Sequence, residues 1–144
     1  FMEKHEDITV IIDAKIQNPE DTSVIYNKIS DELISVSKSV TKRLQPQMFY
    51  QTDYKEIARH NFGEPIYVIG REVRSLLENV DFCKKNGIKY VSLSIKQIKV
   101  SVVQTFLQNN IYVYAYTVNS RSQIKYFGSM GVKGVFTDSV LPDV

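Results

Sequence analysis

The sequence has little of what cross-links, kinks or anchors a chain. Among its 144 residues are one cysteine, four prolines, six glycines and no tryptophan. The single cysteine, Cys83, excludes an intrachain disulfide and a zinc site made of cysteine clusters. Because Cys83 falls within an amphipathic helical pattern, we expect a buried and unreactive thiol.

Long apolar runs and an excess of one charge are missing as well. No run approaches the roughly 20 apolar residues of a membrane span, so we expect none in this segment. The first residues, FMEKHED, lack a signal peptide's apolar stretch and do not begin with Met. This predicts a cut, processed or cloned boundary, and it leaves localisation open between the cytoplasm and membrane attachment through an upstream region. The net charge of +2 is small and scattered, which predicts no nucleic-acid partner.

Strand-like and helix-like patterns alternate along almost the whole chain. β-Branched and apolar runs predict six strands, at residues 8–16, 43–50, 65–70, 90–95, 112–118 and 134–137. Apolar residues at spacings of three and four predict helices between them. Five helices follow: one with the face Ile25, Ile29, Leu33, Val36 and Val40; one at residues 54–60; and three more marked by Val73, Leu76, Leu77 and Val80, by Val102, Val103, Phe106 and Leu107, and by Ile124 and Phe127.

The ends of these helices have their own signals. Asp21, Thr22 and Ser23 are candidate N-caps for the first helix. Gly87 is placed to end the third helix as a C′ glycine, and Asn109–Asn110 and Gly131 mark the ends of the last two.

Such alternation with short connections predicts an α/β fold, a parallel sheet with outer helices in a single domain over residues 1–144. A barrel and an open doubly wound sheet both fit. Glycine-rich nucleotide-binding motifs are absent, and polar residues collect at the carboxyl ends of the strands, where barrel enzymes keep their sites. These residues are Asp13, Lys15, Gln47, Ser94, Lys96, Thr117, Asn119, Thr137 and Asp138. Six strands are too few to close an eight-stranded barrel of about 250 residues, so two β/α units are expected to be missing.

Asp13 and Lys15 lie two residues apart near the end of the first predicted strand, so their side chains share a face. One interpretation is a solvated ion pair at the sheet's rim. The other interpretation is a binding site in which the Asp13 carboxylate binds a divalent cation and the Lys15 ammonium binds a phosphate oxygen. One carboxylate alone does not make a complete metal site. Asn119 is interpreted as the N-cap of the next helix, and Thr137-Asp138-Ser139 as the cap of a final one.

Taken in order, four segments resemble the glycerophosphodiester phosphodiesterase family of (β/α)8 TIM-type barrels. VIIDAK at 10–15 is similar to the family's third-strand Ile-Glu-x-Lys, and AYTVNS at 115–120 to its seventh-strand Trp-Thr-Val-Asn. GVKGVFTDSVLP at 131–142 is similar to its closing Gly-Val-Asp-Gly-Ile-Ile-Thr-Asp-x-Pro, and PQMFYQ at 46–51 is a looser match to the fourth strand. The resemblance implies a partial barrel of about six strands, corresponding to strands three to eight.

The resemblance also implies roles for three residues. Asp13 stands where the family has a metal-binding Glu, for Mg²⁺ or Ca²⁺ in the complete site. Lys15 stands at a lysine near the phosphate and metal, and Tyr116 where an aromatic residue, usually Trp, lines the substrate pocket. Asp for Glu shortens the carboxylate by one methylene, and Tyr for Trp changes the wall's shape and adds a hydroxyl.

The family's acid–base residues have no counterpart here. Its His-Arg-Gly, Glu-x-Asp and His-Asp segments are absent, and neither His5 nor His60 lies at a matching position. We therefore expect a flexible-end role for His5, a solvent-facing one for His60, and no catalytic residue in this chain. The isolated chain is expected to be inactive.

Two functions and two kinds of partner follow from these expectations. The leading hypothesis is the C-terminal part of a metal-dependent glycerophosphodiester phosphodiesterase, which in complete form yields glycerol 3-phosphate and an alcohol. The alternative is a degenerate barrel that binds a ligand or partner without hydrolysis, and an unrelated open sheet is the third possibility. Besides the small-molecule diester, the expected partner is the missing N-terminal region or a second copy, covering the open barrel edges.

Overall fold

The computed structural model describes residues 1–33, 35 and 37–141. The contacts within the chain divide it into two compact units, Phe1–Tyr67 and Val68–Val144. Strand β3 (Ile66–Val68) begins in the first unit and ends in the second. No helix among the described residues is long and apolar enough to cross a membrane.

The first unit joins short parallel strands through helices. It contains β1 (Val10–Ile12), α1 (Asp21–Glu32), α2 (Lys38–Thr41), β2 (Leu44–Met48), α3 (Asp53–Ile57) and the start of β3. β1 pairs with β2 in parallel, with Val10 opposite Leu44, and β2 pairs with β3 in parallel, with Met48 opposite Tyr67. Pro46 lies inside β2, opposite Ile12, so the proline does not end the predicted strand.

Helix α1 is held in the first unit by its polar face as well as its apolar one. Its fully buried residues are Thr22 and Tyr26, and the Tyr26 ring contacts the Phe62 ring edge-on at 5.8 Å between centroids. Ile16, Met48 and Ile66 are also completely buried. The sequence pattern did not predict this arrangement, because it placed the helix face on Ile25 and Ile29.

The second unit continues the β/α alternation. It contains α4 (Leu76–Asn86), β4 (Tyr90–Ser94), α5 (Val100–Gln108), β5 (Tyr112–Tyr116), α6 (Arg121–Ser129) and β6 (Gly134–Val135). Ile69, just after β3, donates its N–H to Ser92 of β4 at 3.0 Å. β4 pairs with β5 in parallel over all five residues, and β5 pairs with β6 in parallel.

The strands of the second unit have two faces that differ in chemistry. Val91, Leu93, Val113 and Ala115 are all at most 2% exposed, and α5 contacts β5 on this helix-covered side. The alternating residues form the other face, which carries tyrosines and serines because side chains of a strand alternate in direction. Its aromatic rings are Tyr90, Tyr112, Tyr114 and Phe136, with neighbouring centroids about 6 Å apart.

Several predicted boundaries need correction. The strands are shorter than predicted, and the first helical pattern divides into α1 and α2, which gives six helices in the described ranges rather than five. Val73 is fully exposed and precedes α4, whose buried face includes Val80 and Cys83 instead. The N-cap of α1 is Glu20, with no side-chain cap. The predicted core position Val36 lies outside the described residues.

Other predictions are confirmed. Cys83 is fully buried, and that burial raises the pKa of its thiol to about 12, which leaves the thiol protonated and unreactive. Gly87 ends α4 in the left-handed conformation (φ 67°), which glycine adopts without strain. Six parallel strands with helices between them confirm the expected α/β class, part of a TIM-type (β/α) barrel.

Candidate functional site

Asp13 and Lys15 follow β1 at its carboxyl end. The Lys15 ammonium donates to Asp13 Oδ2, and the Lys15 N–H donates weakly to Asp13 Oδ1 at 3.4 Å. The Asp13 side chain is 37% exposed and the Lys15 side chain 80% exposed. The ion pair that the spacing allowed is therefore present at a solvated rim. The metal and phosphate roles implied by the resemblance stay predictions.

A buried carboxylate lies in the same unit, at the start of α3. Asp53 is 1% exposed and accepts three hydrogen bonds: from the Phe49 N–H at 3.1 Å, the Tyr50 N–H at 2.9 Å and the Thr22 hydroxyl at 2.7 Å. These contacts fix the turn after β2 and tie it to the first turn of α1. Asp53 therefore stabilises the backbone that follows the carboxyl end of β2.

Tyr26 extends this polar layer. Its hydroxyl donates to the backbone carbonyl of Gln47 at 2.8 Å, and Gln47 is itself buried. Burial raises the pKa of Tyr26, and the negative charges of Asp53 and Asp13 add to the shift. The phenol therefore stays protonated and acts as a donor. Gln47, which the sequence placed at a strand end, accepts this hydrogen bond through its backbone carbonyl. The role of this carbonyl is therefore structural.

Tyr116 ends β5 in the second unit, opposite Ser94 of β4. Burial raises the pKa of its hydroxyl, while the Arg71 guanidinium acts in the opposite direction. The phenol is thus neutral at physiological pH, half-buried and near a cation. A neutral aromatic wall is what the predicted pocket role needs, and that role remains a prediction.

The turn after β4 is fixed by a glutamine. Gln97 Oε1 accepts from both the N–H and the hydroxyl of Ser94, each at 2.9 Å. Since a backbone N–H can only donate, the amide oxygen must face Ser94 and the amide nitrogen must face away. Lys96 is exposed beside this turn.

Asn119 joins the ends of β5 and β6. Its Oδ1 accepts from the Thr137 hydroxyl at 3.0 Å and from the Asp138 N–H at 2.9 Å, and its Nδ2 donates to Asp138 at 3.3 Å. The prediction that Asn119 caps α6 is wrong, because the N-cap is Ser120. Thr137 Oγ1 instead accepts from the N–H groups of Ser139 and Val140 in a turn, and no helix follows within the described residues.

A divalent cation does not fit the ligands of this chain alone. Mg²⁺ and Ca²⁺ take six or more oxygen ligands, several of them carboxylates or carbonyls. Across the described ranges, no group of three or more His, Cys, Asp or Glu could hold an ion. Asp13 is also engaged by Lys15. Asp13 can be at most one ligand of a metal site.

Among the described residues of the first unit, no hydrogen bond joins the side chain of His5 or His60 to the polar residues at the strand ends. His5 is exposed, and its ring contacts the Phe1 ring at a tilt of 33°, with centroids 4.4 Å apart. The His60 ring lies 5.5 Å from the Phe62 ring and is half-buried, rather than fully solvent-facing as expected.

Parallel β/α units with polar residues at the carboxyl ends of the strands define a (β/α)-barrel class of protein. Within it, residues 1–141 match the glycerophosphoryl diester phosphodiesterase family, so the chain belongs to that family. The family expectation drawn from the motifs is confirmed. No curated protein matches the chain.

Solved structures agree on the fold. A glycerophosphodiester phosphodiesterase from Parabacteroides distasonis is 19% identical, with a TM-score of 0.65 over 85% of this chain and 50% of its own. A phosphodiesterase from Oleispira antarctica, in complex with the product sn-glycerol-3-phosphate, is 17% identical, with a TM-score of 0.57 over 77% of this chain and 47% of its own. The chain thus spans about half the length of these structures.

Sequence reasoning missed Asp53 and Gln97, and it named Thr22 only as a candidate N-cap. Asp53 and Thr22 are brought together by a bond between residues 31 apart in the chain, which no local pattern records. Gln97 did carry a signal, since it lies three residues after a serine at a strand end, where a side chain can fold back onto the turn.

Proposed function

We propose that this chain supplies the later strands of a metal-dependent glycerophosphodiester phosphodiesterase, which hydrolyses glycerophosphodiesters to glycerol 3-phosphate and an alcohol in its complete form. The observation that carries the proposal is the family match over residues 1–141. The fold likeness to a phosphodiesterase solved with sn-glycerol-3-phosphate supports it.

Each proposed role uses a property of the side chain concerned. The exposed ammonium of Lys15 can move from Asp13 to a phosphate oxygen, since a solvated ion pair costs little to open. Asp13, once released, is available as one metal ligand. Tyr116 offers a neutral aromatic wall at the end of β5.

The acid–base groups must come from outside this chain, because general acid–base catalysis needs groups within hydrogen-bond reach of the reacting oxygens. The test measures glycerol 3-phosphate released from a glycerophosphodiester with Mg²⁺ or Ca²⁺. We expect turnover by a full-length natural protein that carries the family's first two β/α units, and none by the 144-residue chain alone.

A variant and its control sharpen this test. In the complete protein, Lys15→Gln is expected to reduce kcat/KM about tenfold to hundredfold through loss of a charged hydrogen bond. Lys55→Gln, at an exposed position of α3, should leave kcat/KM unchanged. Absence of turnover with every metal tested would remove the hydrolytic proposal.

The proposed macromolecular partner is either the family's first two β/α units or a second copy of this chain. In the first unit, β1 pairs with β2 alone among the described strands of that unit. Beside it runs an apolar groove of about 420 Å³ between β1 and α1, with Ile12, Ile29, Leu33 and Leu44 in its lining. An unpaired strand edge next to an apolar groove favours addition of another β/α element.

A binding role without hydrolysis is the second candidate. It is favoured by the Asp13–Lys15 ion pair together with the lack of a metal-ligand cluster in the described part of the chain. The same assay separates the two, because a complete protein that binds diesters without turnover supports the binding role.

A further inference from the structure

The Gln47 side chain is a buried polar group without a partner. Gln47 is 8% exposed, and among the described residues its side-chain amide forms no hydrogen bond. Its backbone carbonyl does have a partner, the Tyr26 hydroxyl at 2.8 Å. A buried amide that protein atoms leave unpaired is costly, and such groups recur where water or a ligand completes a site.

The strand register places Gln47 beside Asp13. Ile12 of β1 is opposite Pro46 of β2. The next residues, Asp13 and Gln47, therefore lie at the same level. Ile12 and Leu44 line the groove beside α1. Because side chains of a strand alternate in direction, Asp13 and Gln47 project from the other face. Adjacent strands lie about 4.8 Å apart, so both side chains can contact one small ligand.

The neighbours of Gln47 on this face leave its amide unpaired. On β3 the opposite residue is Ile66, whose apolar and fully buried side chain can form no hydrogen bond. On the β1 side, the Asp13 carboxylate accepts from the Lys15 ammonium instead. The Gln47 amide therefore adds a donor and an acceptor beside an ion pair at a solvated rim.

The backbone around Gln47 is fixed by buried side chains. The Tyr26 hydroxyl donates to the Gln47 carbonyl, and the Asp53 carboxylate accepts from the two N–H groups that follow β2. A polar side chain on a backbone held in this way is positioned before a ligand arrives, which reduces the entropy cost of binding. The structural bond uses the carbonyl and leaves the side-chain amide for another role.

A hydroxyl group is the ligand that matches this amide. A glutamine amide has an acceptor oxygen and two N–H donors, and a hydroxyl both donates and accepts. The charges of Asp13 and Lys15 suit a cation and a phosphate oxygen. The neutral amide beside them suits the uncharged part of a phosphate ester.

We propose that the Gln47 amide binds a hydroxyl of the glycerol moiety, so that the site selects glycerol phosphates over phosphate esters of the same size that lack hydroxyls. The inference rests on the proposed function for its ligand, and it adds a substrate-binding residue to that function.

Glycerol 3-phosphate and propyl phosphate are matched probes, because both carry one phosphate on a three-carbon chain and only the first has hydroxyls. We expect NMR titration of the 144-residue chain to give about threefold to tenfold tighter binding of glycerol 3-phosphate, the effect of one hydrogen bond. The side-chain NH2 signals of Gln47 should shift with glycerol 3-phosphate and not with propyl phosphate.

Gln47→Met keeps the length of the side chain and removes its hydrogen-bonding groups, so it should make the two affinities equal. Gln45→Met makes the same change one layer below, on the same face of β2, and should keep the preference. Lys15→Gln should weaken both probes by a similar factor, because they share the phosphate. Thermal unfolding identifies any variant that fails to fold, and if Gln47→Met does so, the Gln47 signals of the unmodified chain decide.

The outcomes separate this role of Gln47 from the hydrolytic function. Equal affinities in the unmodified chain, no binding of either probe, or a preference that survives in folded Gln47→Met would overturn the role, even if the complete protein hydrolyses diesters. Gln47 signals that shift with Mg²⁺ or Ca²⁺ alone, without a preference between the probes, would overturn it in favour of a metal ligand. Selective binding of glycerol 3-phosphate by a complete protein without turnover would remove the hydrolytic function and leave the role of Gln47 standing.

Discussion

A single buried carboxylate shows how much one residue contributes to positioning the strand ends. Asp53 receives two backbone N–H groups and one hydroxyl in a site that is 1% exposed. Each buried donor that loses its partner costs about 1–3 kcal/mol. The turn after β2 therefore depends on this side chain more than on any exposed acid.

We predict that Asp53→Ala lowers the free energy of unfolding by about 3 kcal/mol or more, because it orphans three donors. Asp53→Asn should cost less, since its oxygen can accept both backbone bonds while its amide donates to the Thr22 hydroxyl. Urea unfolding followed by circular dichroism measures both. Asp31→Ala, at an exposed position of α1, is the control, and a loss in Asp53→Ala no larger than in this control would contradict the prediction.

At the scale of single elements, α4 has the best-defined start. The Ser75 hydroxyl accepts from the Glu78 N–H at 3.2 Å, and the Glu78 carboxylate accepts from the Ser75 N–H at 2.7 Å. This is a capping box, in which two donors that the helix leaves unpaired are satisfied reciprocally. α6 begins at a serine as well, but the Ser120 side chain makes no capping bond.

The two serines make a matched pair of substitutions. Ser75→Ala is expected to lower the free energy of unfolding by about 1 kcal/mol, the usual effect of losing a side-chain cap. Ser120→Ala should change it by less than about 0.5 kcal/mol. Equal losses at the two positions would argue against the capping role.

The pH dependence of this difference follows from Glu78. Its pKa is lowered from 4.5, chiefly by the backbone hydrogen bond from Ser75 and then by the Ser75 side chain. A carboxylate with a depressed pKa stabilises the folded state above its unfolded pKa and loses that effect as the pH falls. The backbone bond remains in Ser75→Ala and only the side-chain bond is lost, so the gap between the unmodified chain and Ser75→Ala should narrow modestly below about pH 4.5, as measured by the same unfolding curves.

Local patterns predicted the elements well where the pattern itself causes the structure. The β-branched runs around Val10 and Val113 became parallel strands, and Gly87 ended its helix, because propensity and packing agree there. Predictions failed where a distant partner decides. Asn119 was interpreted as a cap, but it bonds to Thr137 and Asp138, 18 and 19 residues away.

The same distinction applies to the candidate site. Strand-end position was enough to single out Asp13 and Lys15, since parallel strands carry their polar residues at one end, whereas Tyr116 was singled out only by the family resemblance. Strand-end position was not enough to find Gln97, because its position depends on how the turns after β3 and β4 approach each other at Gly70.

At the scale of the whole molecule, β1 and β6 each have an edge that no described strand of their own unit covers. The chain spans 47–50% of the two structures described above. In the second unit, β6 pairs with β5 alone among the strands described there, just as β1 pairs with β2 alone in the first. Free parallel edges template association with a further strand, so self-association is the expected behaviour of the isolated chain.

We predict that the chain alone sediments as a dimer or larger assembly at micromolar concentration. A lysine on an edge strand opposes pairing through its charge and its need for water. Val10→Lys, on β1 where the side chain is 37% exposed, is expected to weaken association at least about tenfold. Val24→Lys makes the same change at a 68% exposed position of α1 and should have no effect. A monomer at every concentration in analytical ultracentrifugation would rule out edge pairing, whereas assembly that persists in Val10→Lys would move the contact to β6.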